Sequence, residues 1–185
     1  MSFQYHQTII ELWRPLLAAQ EGLNTSPDAE RQNVYQIAIG SCRSSFQSLR
    51  HLVDSYAQHY SESPMSAFFQ IPLLYIAFHA MADPQFSDPT SEADHFFKLS
   101  IHLLRRMVGP FNLVYFVLQG IQKSAQRRNL TLPDQSVQIL NEVERDRPAV
   151  AGLDAVRSLY PVDLSTLHED LEGSRLENLL KGRSS

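Results

Sequence analysis

Apolar residues recur along this chain at helical spacing, and no stretch shows the strict alternation that a half-buried strand requires. One stripe keeps near-helical spacing over a long stretch, with Gly40 as a weak point: Val34, Ile37, Ala38, Cys42, Phe46, Leu49, Val53, Tyr56 and Tyr60. The length of 185 residues suits one domain. The sequence therefore predicts an all-α fold, a single irregular helical domain of about six to seven helices.

The first helix is predicted from about Phe3 to Ala19. Tyr5, Ile9, Leu12 and Leu16 recur at spacings of four, three and four, which places them on one stripe of this helix. Pro15 is expected to bend it. Ser26 followed by Pro27 resembles a cap with proline in the first turn, so a second helix is predicted to begin there.

Ser63 and Pro64 repeat the signal of a cap followed by proline and predict a helix that ends at Ala82, with a kink at Pro72 near its middle. The stretch 63–82 contains no charged residue and is long enough to suggest a membrane span. Its polar positions and its proline favour a buried core helix instead.

Ser91 and Asp94 form a capping pair that predicts a helix to about Val108, with Phe97, Ile101 and Leu104 facing inward. Gly109 and Pro110 then break the chain, and a further apolar stripe follows, made of Leu113, Phe116, Val117, Gly120 and Ile121.

A more polar, acidic region follows Leu132. Here one stripe predicts a short helix (Val137, Leu140, Val143), and another predicts a terminal helix (Leu164, Leu167, Leu171, Leu176, Leu179, Leu180). We divide the chain into a helical segment, 1–132, and an acidic C-terminal helical segment, 133–185, which is either part of the same domain or separate from it.

Composition excludes several classes of function. The single cysteine, Cys42, can form neither an intramolecular disulfide nor a four-ligand zinc site by itself. The net charge of −4 argues against a surface devoted to nucleic acid. Residues 91–128 are locally basic, but their cations lie mainly at helix ends, where they favour the helix dipole without any ligand. The N-terminus lacks the pattern of a secretory signal, which favours an intracellular protein.

No catalytic constellation stands out. Cys42 lies on an apolar stripe, which favours a buried and inert thiol. Glu92, His95 and His102 share one predicted helix and have part of the spacing of a helical di-iron site, but no second Glu-x-x-His exists. We therefore predict no metal, no cofactor and no enzymatic activity.

Aromatic residues are concentrated in the middle of the chain. Core packing is the simplest interpretation of these side chains, and the alternative is that they line a cavity for a small apolar effector. The candidate effector residues are Phe68, Phe69, Tyr75, Phe78, His79, Phe97, Tyr115 and Phe116.

The segment from Tyr5 to Leu17, YHQTIIELWRPLL, resembles a helix of the regulatory middle homology region of fungal zinc-cluster transcription factors. Three later segments follow in the order that this family shows: CRSSFQSLRHLVDSYAQHY, PLLYIAFHAMAD and ADHFFKLSIHLLRRM. The likeness extends from about Tyr5 to Arg128. His6, Arg14 and Pro15 match the family motif, where we expect structural roles: Pro15 bends the helix and Arg14 pairs with or caps a neighbouring element.

The resemblance implies an all-helical regulatory module in the nucleus that controls transcription by RNA polymerase II, often of a pathway or metabolite gene cluster. Zinc-cluster factors bind DNA through six cysteines, and this chain has one. The resemblance also implies that the first half of the regulatory domain is missing. We therefore expect no direct DNA binding by this chain, and we expect a homodimer or a protein partner to cover its apolar faces.

Two alternatives to a regulator that acts through protein contacts stay open. The first is a helical module that senses a small effector in the aromatic cavity. The second is a helical metal-dependent enzyme, which ranks last because the sequence lacks an aspartate-rich motif.

Overall fold

A computed structural model describes residues 2–21, 29–60 and 65–145. Those residues confirm the all-α prediction: they form six α-helices and one 3₁₀ helix, with no strand among them. The α-helices are α1 (Phe3–Glu21), α2 (Ala29–His59), α3 (Gln70–Ala82), α4 (Glu92–Met107), α5 (Asn112–Arg127) and α6 (Asp134–Arg145). They belong to two compact units, a two-helix unit (α1 and α2) and a four-helix unit (α3 to α6).

In the two-helix unit, α1 packs against α2. Helix α1 begins at the predicted residue, ends two residues after the predicted one, and continues through Pro15. Helix α2 continues through Gly40 and buries one side of the predicted stripe, at Ala38, Cys42, Leu49 and Val53. The predicted cap at Ser26 and Pro27 lies outside the described residues.

The first helix of the four-helix unit begins later than the sequence predicts. Ser66 caps a 3₁₀ turn, Ala67–Phe69, with its Oγ accepting a hydrogen bond from the Phe68 N–H at 3.4 Å, and α3 follows directly. The prediction that Pro72 kinks the middle of the helix is wrong, because Pro72 lies in the first turn of α3, where its missing N–H costs nothing. Residues 63 and 64 lie outside the described part of the chain.

Helix α4 confirms the predicted cap. The Ser91 Oγ accepts a hydrogen bond from the Asp94 N–H at 3.1 Å, and Phe97, Ile101 and Leu104 are fully buried as predicted. Helix α4 packs against α3, α5 and α6, and α5 likewise packs against the three other α-helices of this unit.

Helix α5 ends in a Schellman motif. Asn129 adopts a left-handed conformation (φ 52°), and the Leu130 N–H bonds to the Ala125 carbonyl at 2.9 Å. Asparagine tolerates this conformation better than most residues, so α5 ends here at little cost. Helix α6 buries Leu140 and Val143 of its predicted stripe and leaves Val137 exposed.

The uncharged stretch 63–82 is not a membrane span in this fold. Helix α3 has 13 residues, whereas a span needs roughly 20. No helix in the described part of the chain combines the length and the hydropathy that crossing a bilayer requires. The leucine-rich helix that the sequence predicts after residue 163 lies beyond the described residues.

Candidate functional site

The titratable residues in the described ranges do not gather into a metal site. No group of three His, Cys, Asp or Glu side chains in those ranges is placed to hold a metal ion. Glu92, His95 and His102 are all exposed on α4. Cys42 is buried as predicted, and burial raises the pKa of its thiol, which keeps it protonated and unreactive.

The eight candidate effector residues fall into three groups by burial. Tyr75, Phe78, Phe97, Tyr115 and Phe116 are buried in the four-helix unit, and Phe97 meets the Phe86 ring edge-on at a centroid distance of 5.1 Å. Phe69 and His79 are half-buried, whereas Phe68 is 70% exposed. The fold thus brings five of them into the core and leaves Phe68 outside it.

A cavity of about 320 Å³ lies in the four-helix unit, where the loop before α4 meets the start of α6. Phe86, Pro89, Leu132 and Pro133 supply its apolar lining. None of the eight candidate effector residues lines this cavity. Its volume lies at the lower end of the range for small-molecule sites.

The charged lining of this cavity is an ion pair and one further carboxylate, and Ser87, Thr131 and Gln135 add uncharged polar groups. Lys98 Nζ lies 2.6 Å from Asp94 Oδ2, and Asp94 is almost fully buried on α4. Asp134, in the first turn of α6, is the exposed carboxylate. The arrangement can hold a small, largely apolar molecule with a polar group directed at the ion pair.

A buried polar network joins α5 to α6. The Tyr115 hydroxyl donates to Glu144 Oε2 at 3.0 Å and accepts from Gln119 Nε2 at 2.7 Å, and Gln119 also donates to Glu144. Tyr115 and Gln119 are buried, so the bonds satisfy polar groups that water cannot reach. The network fixes the C-terminal end of α6 to the core.

The predicted stripe of α1 lies on the exposed side of that helix. Tyr5 is 51% exposed, Leu12 is 65% exposed and Leu16 is 37% exposed, while Ile9 is half-buried. An apolar stripe on a helix usually faces the core, so this largely exposed stripe is an exception to that rule. We call Tyr5, Ile9, Leu12 and Leu16 the α1 stripe.

The side of α1 that is covered is a different one. His6 and Ile10 are buried and Phe3, Trp13 and Leu17 are half-buried, at spacings of three and four residues. Helix α1 therefore carries two apolar sides, of which one is buried. Sequence reasoning missed the second side because a histidine interrupts it.

The three residues of the family motif lie at different positions on α1. His6 is only 6% exposed, and burial, followed by the positive charge of the N-terminus, lowers the pKa of its imidazole. Arg14 pairs with Glu11 of its own helix at 2.9 Å rather than with a neighbouring element. Pro15 is exposed.

Comparison of the chain with protein-family models, with curated proteins and with solved structures gives no match. The candidate sites are thus defined by the geometry above alone.

Proposed function

We propose that this chain regulates transcription by RNA polymerase II through protein contacts, as a short regulator resembling the regulatory domain of fungal zinc-cluster factors. The observation that carries the proposal is the α1 stripe. It is exposed, and it lies within the segment Tyr5–Leu17 on which the resemblance begins. Exposed apolar surface of this kind is typical of a contact site for another protein.

Two further observations support a role without catalysis. The described ranges hold no three-residue metal-binding group, and the thiol of Cys42 is buried and kept protonated. The chain also carries a mild acidic charge of −4, which disfavours phosphate binding over a broad surface. A regulator of this composition acts in the nucleus on a partner that supplies the DNA contact.

The test is recruitment of the full chain to a promoter. The chain is fused to an unrelated DNA-binding domain in a fungal cell, and transcript from an RNA polymerase II reporter is compared with that from the DNA-binding domain alone. We expect a change in transcript level, and we expect Leu12→Glu to remove it, because a charge in the stripe opposes burial against a partner.

The matched control is Gln47→Glu, which adds the same charge at an exposed position of α2. Immunoblotting checks that both variants accumulate equally. A reporter that ignores the wild-type fusion, or that responds equally to the wild type and Leu12→Glu, would contradict the proposal.

A second candidate function, effector sensing, is favoured by the cavity beside Asp94 and Lys98. A ligand that binds the folded chain stabilises it by about 2.7 kcal/mol when its concentration is a hundred times Kd. The melting temperature rises as a result. Small apolar metabolites with one polar group are the molecules to screen. Leu132→Trp, which fills the cavity, should abolish any shift that arises there.

The third candidate, a helical metal-dependent enzyme, ranks last. Elemental analysis of the purified full chain tests it directly. Stoichiometric iron or zinc would favour this function over the first two.

A further inference from the structure

We infer that two copies of this chain pair through the α1 stripe, with the two α1 helices antiparallel across a two-fold axis. The inference goes beyond the proposed function, because a second copy of this chain is not the partner that supplies the DNA contact, and it rests on that function only for its biological role. Three features of the described residues carry it: the spacing of the stripe, the absence of charge on its side of α1, and its exposure.

The spacing of the stripe is that of a coiled-coil seam. Intervals of four, three and four residues are the a and d positions of a heptad, which interlock with the same positions of a second helix. Helix α2 covers another side of α1, so the seam residues Tyr5, Leu12 and Leu16 are exposed and only Ile9 is half-buried. The seam is therefore open to a helix from outside the two-helix unit.

The intervals are also the same in both directions along the helix. An antiparallel copy centred between residues 10 and 11 sets Tyr5 opposite Leu16 of the second copy and Ile9 opposite Leu12 of the second copy. Two-fold pairing brings identical surfaces together, so a surface must match itself to form such an interface. The α1 stripe meets that condition with an apolar residue at every position.

The charges of α1 allow self-association. At 3.6 residues per turn, Glu11 and Arg14 lie on the far side of the helix from the stripe, where they pair with each other. The exposed flank of the stripe consists of Gln4, Thr8 and Pro15, all uncharged. A second copy therefore brings no like charges together along the seam, which a surface with one sign of charge would do.

Pairing of this kind turns two two-helix units into a four-helix arrangement. A single pair of helices buries one side of each helix, and a second pair covers the remaining apolar side, as in helix bundles. Val34 and Ile37 on α2 are further exposed apolar residues of the same unit. The pairing removes the apolar stripe from water without help from any other protein.

Sedimentation equilibrium of the purified full chain, over a wide range of concentration, tests the inference. We expect the average mass to rise from that of a monomer to that of a dimer as concentration increases. Leu12→Glu and Ile9→Lys should each stay monomeric, and an equimolar mixture of the two variants should form a dimer, because the register sets residue 12 opposite residue 9.

A second pair of variants guards against misfolding of the first. Tyr5→Lys and Leu16→Glu should show the same loss alone and the same rescue together, and circular dichroism should show unchanged helix content in all four. Val137→Glu, at an exposed position of α6 in the other unit, is the control and should dimerise like the wild type.

A wild-type chain that stays monomeric at every concentration would overturn the inference. So would a Leu12→Glu variant that dimerises normally, since the contact would then involve another surface. These outcomes are separate from the reporter test: a monomer that still alters transcription would refute the pairing and leave the proposed function standing.

Discussion

The two units of this chain differ in how fully they bury their apolar residues. In the four-helix unit, every residue of α3 from Pro72 to Phe78 is buried, so that helix is covered on all sides. In the two-helix unit, α1 is apolar on two sides, and one of them, the α1 stripe, is exposed. The difference follows from the number of neighbours: α4 and α5 each contact three helices, whereas α1 and α2 contact each other.

The comparison shows in which unit the apolar helix sides are buried by neighbouring helices of the same unit. A helix buries the sides on which it has neighbours, and an apolar side that stays exposed is typical of a contact site for another protein. Among its described residues, the four-helix unit covers its large apolar side chains internally, apart from the exposed Phe68 and Val137. The two-helix unit leaves a seam that a second helix fits, which is why we assign the interaction to α1.

The largest expected effect is a loss of stability on removing a buried phenylalanine of the four-helix unit, compared with removing an exposed one. Phe97→Ala removes a fully buried ring from α4 and should lower the free energy of unfolding by about 3 to 5 kcal/mol. Phe68→Ala, at an exposed position, should change it by less than about 0.5 kcal/mol. Urea denaturation followed by circular dichroism measures both. Equal losses would show that Phe68 is also covered.

Two leucines make the same contrast inside the two-helix unit. Leu49→Ala on α2 removes a buried side chain and should cost about 2 to 5 kcal/mol. Leu12→Ala on the α1 stripe should cost less than about 0.5 kcal/mol when the protein is dilute enough to be monomeric. Unfolding is followed by the fluorescence of Trp13, the single tryptophan of the chain. A large loss in the dilute Leu12 variant would contradict the exposed stripe.

The polar network of the four-helix unit gives an intermediate effect. Tyr115→Phe removes the hydroxyl that links Gln119 to Glu144, and we expect a loss of about 1 to 2 kcal/mol because buried polar groups lose a partner. Tyr60→Phe removes an exposed hydroxyl and is the matched control. Similar values for the two variants would show that the network adds no stability.

The smallest expected effect is a pH dependence of the two-helix unit. The folded state holds the pKa of His6 below its ordinary value of 6.5, so the unfolded chain binds this proton more readily. Stability should therefore fall as the pH drops below 6.5, and it should be fully present above that value.

Trp13 fluorescence during urea unfolding, at pH values on either side of 6.5, measures this effect. His6→Gln should flatten the dependence, because glutamine does not titrate. His102→Gln, in the other unit, should leave it unchanged. An identical slope in the wild type and His6→Gln would exclude His6 as the source.

Local sequence signals predicted where helices lie better than they predicted which side of each helix is buried. The Ser91 and Asp94 pair predicted the start of α4, because an N-cap acts over three residues and needs no tertiary context. The α1 stripe was visible as a pattern, but a pattern does not say which side a neighbour covers. The position of Pro72 within its helix was predicted wrongly because α3 begins seven residues after Ser63, where the sequence gives no strong start signal.

The candidate sites depend on contacts that sequence spacing does not encode. Tyr115 and Glu144 are joined across 29 positions, and the cavity combines residues near 90 with residues near 133. No motif links such segments, because their approach is set by how α4 and α6 pack. The charge-free side of α1, by contrast, can be read directly from the sequence.

The distance between spin labels on two copies of α1 tests the central claim most directly. A cysteine at Ser2, in a chain whose Cys42 is replaced by alanine, carries the label just before the stripe. Antiparallel pairing centred between residues 10 and 11 predicts about 27 Å between the two labelled backbones, from the helical rise and the spacing of packed helices. A separation of roughly 10 Å, as parallel helices would give, or the absence of any intermolecular distance would contradict the account.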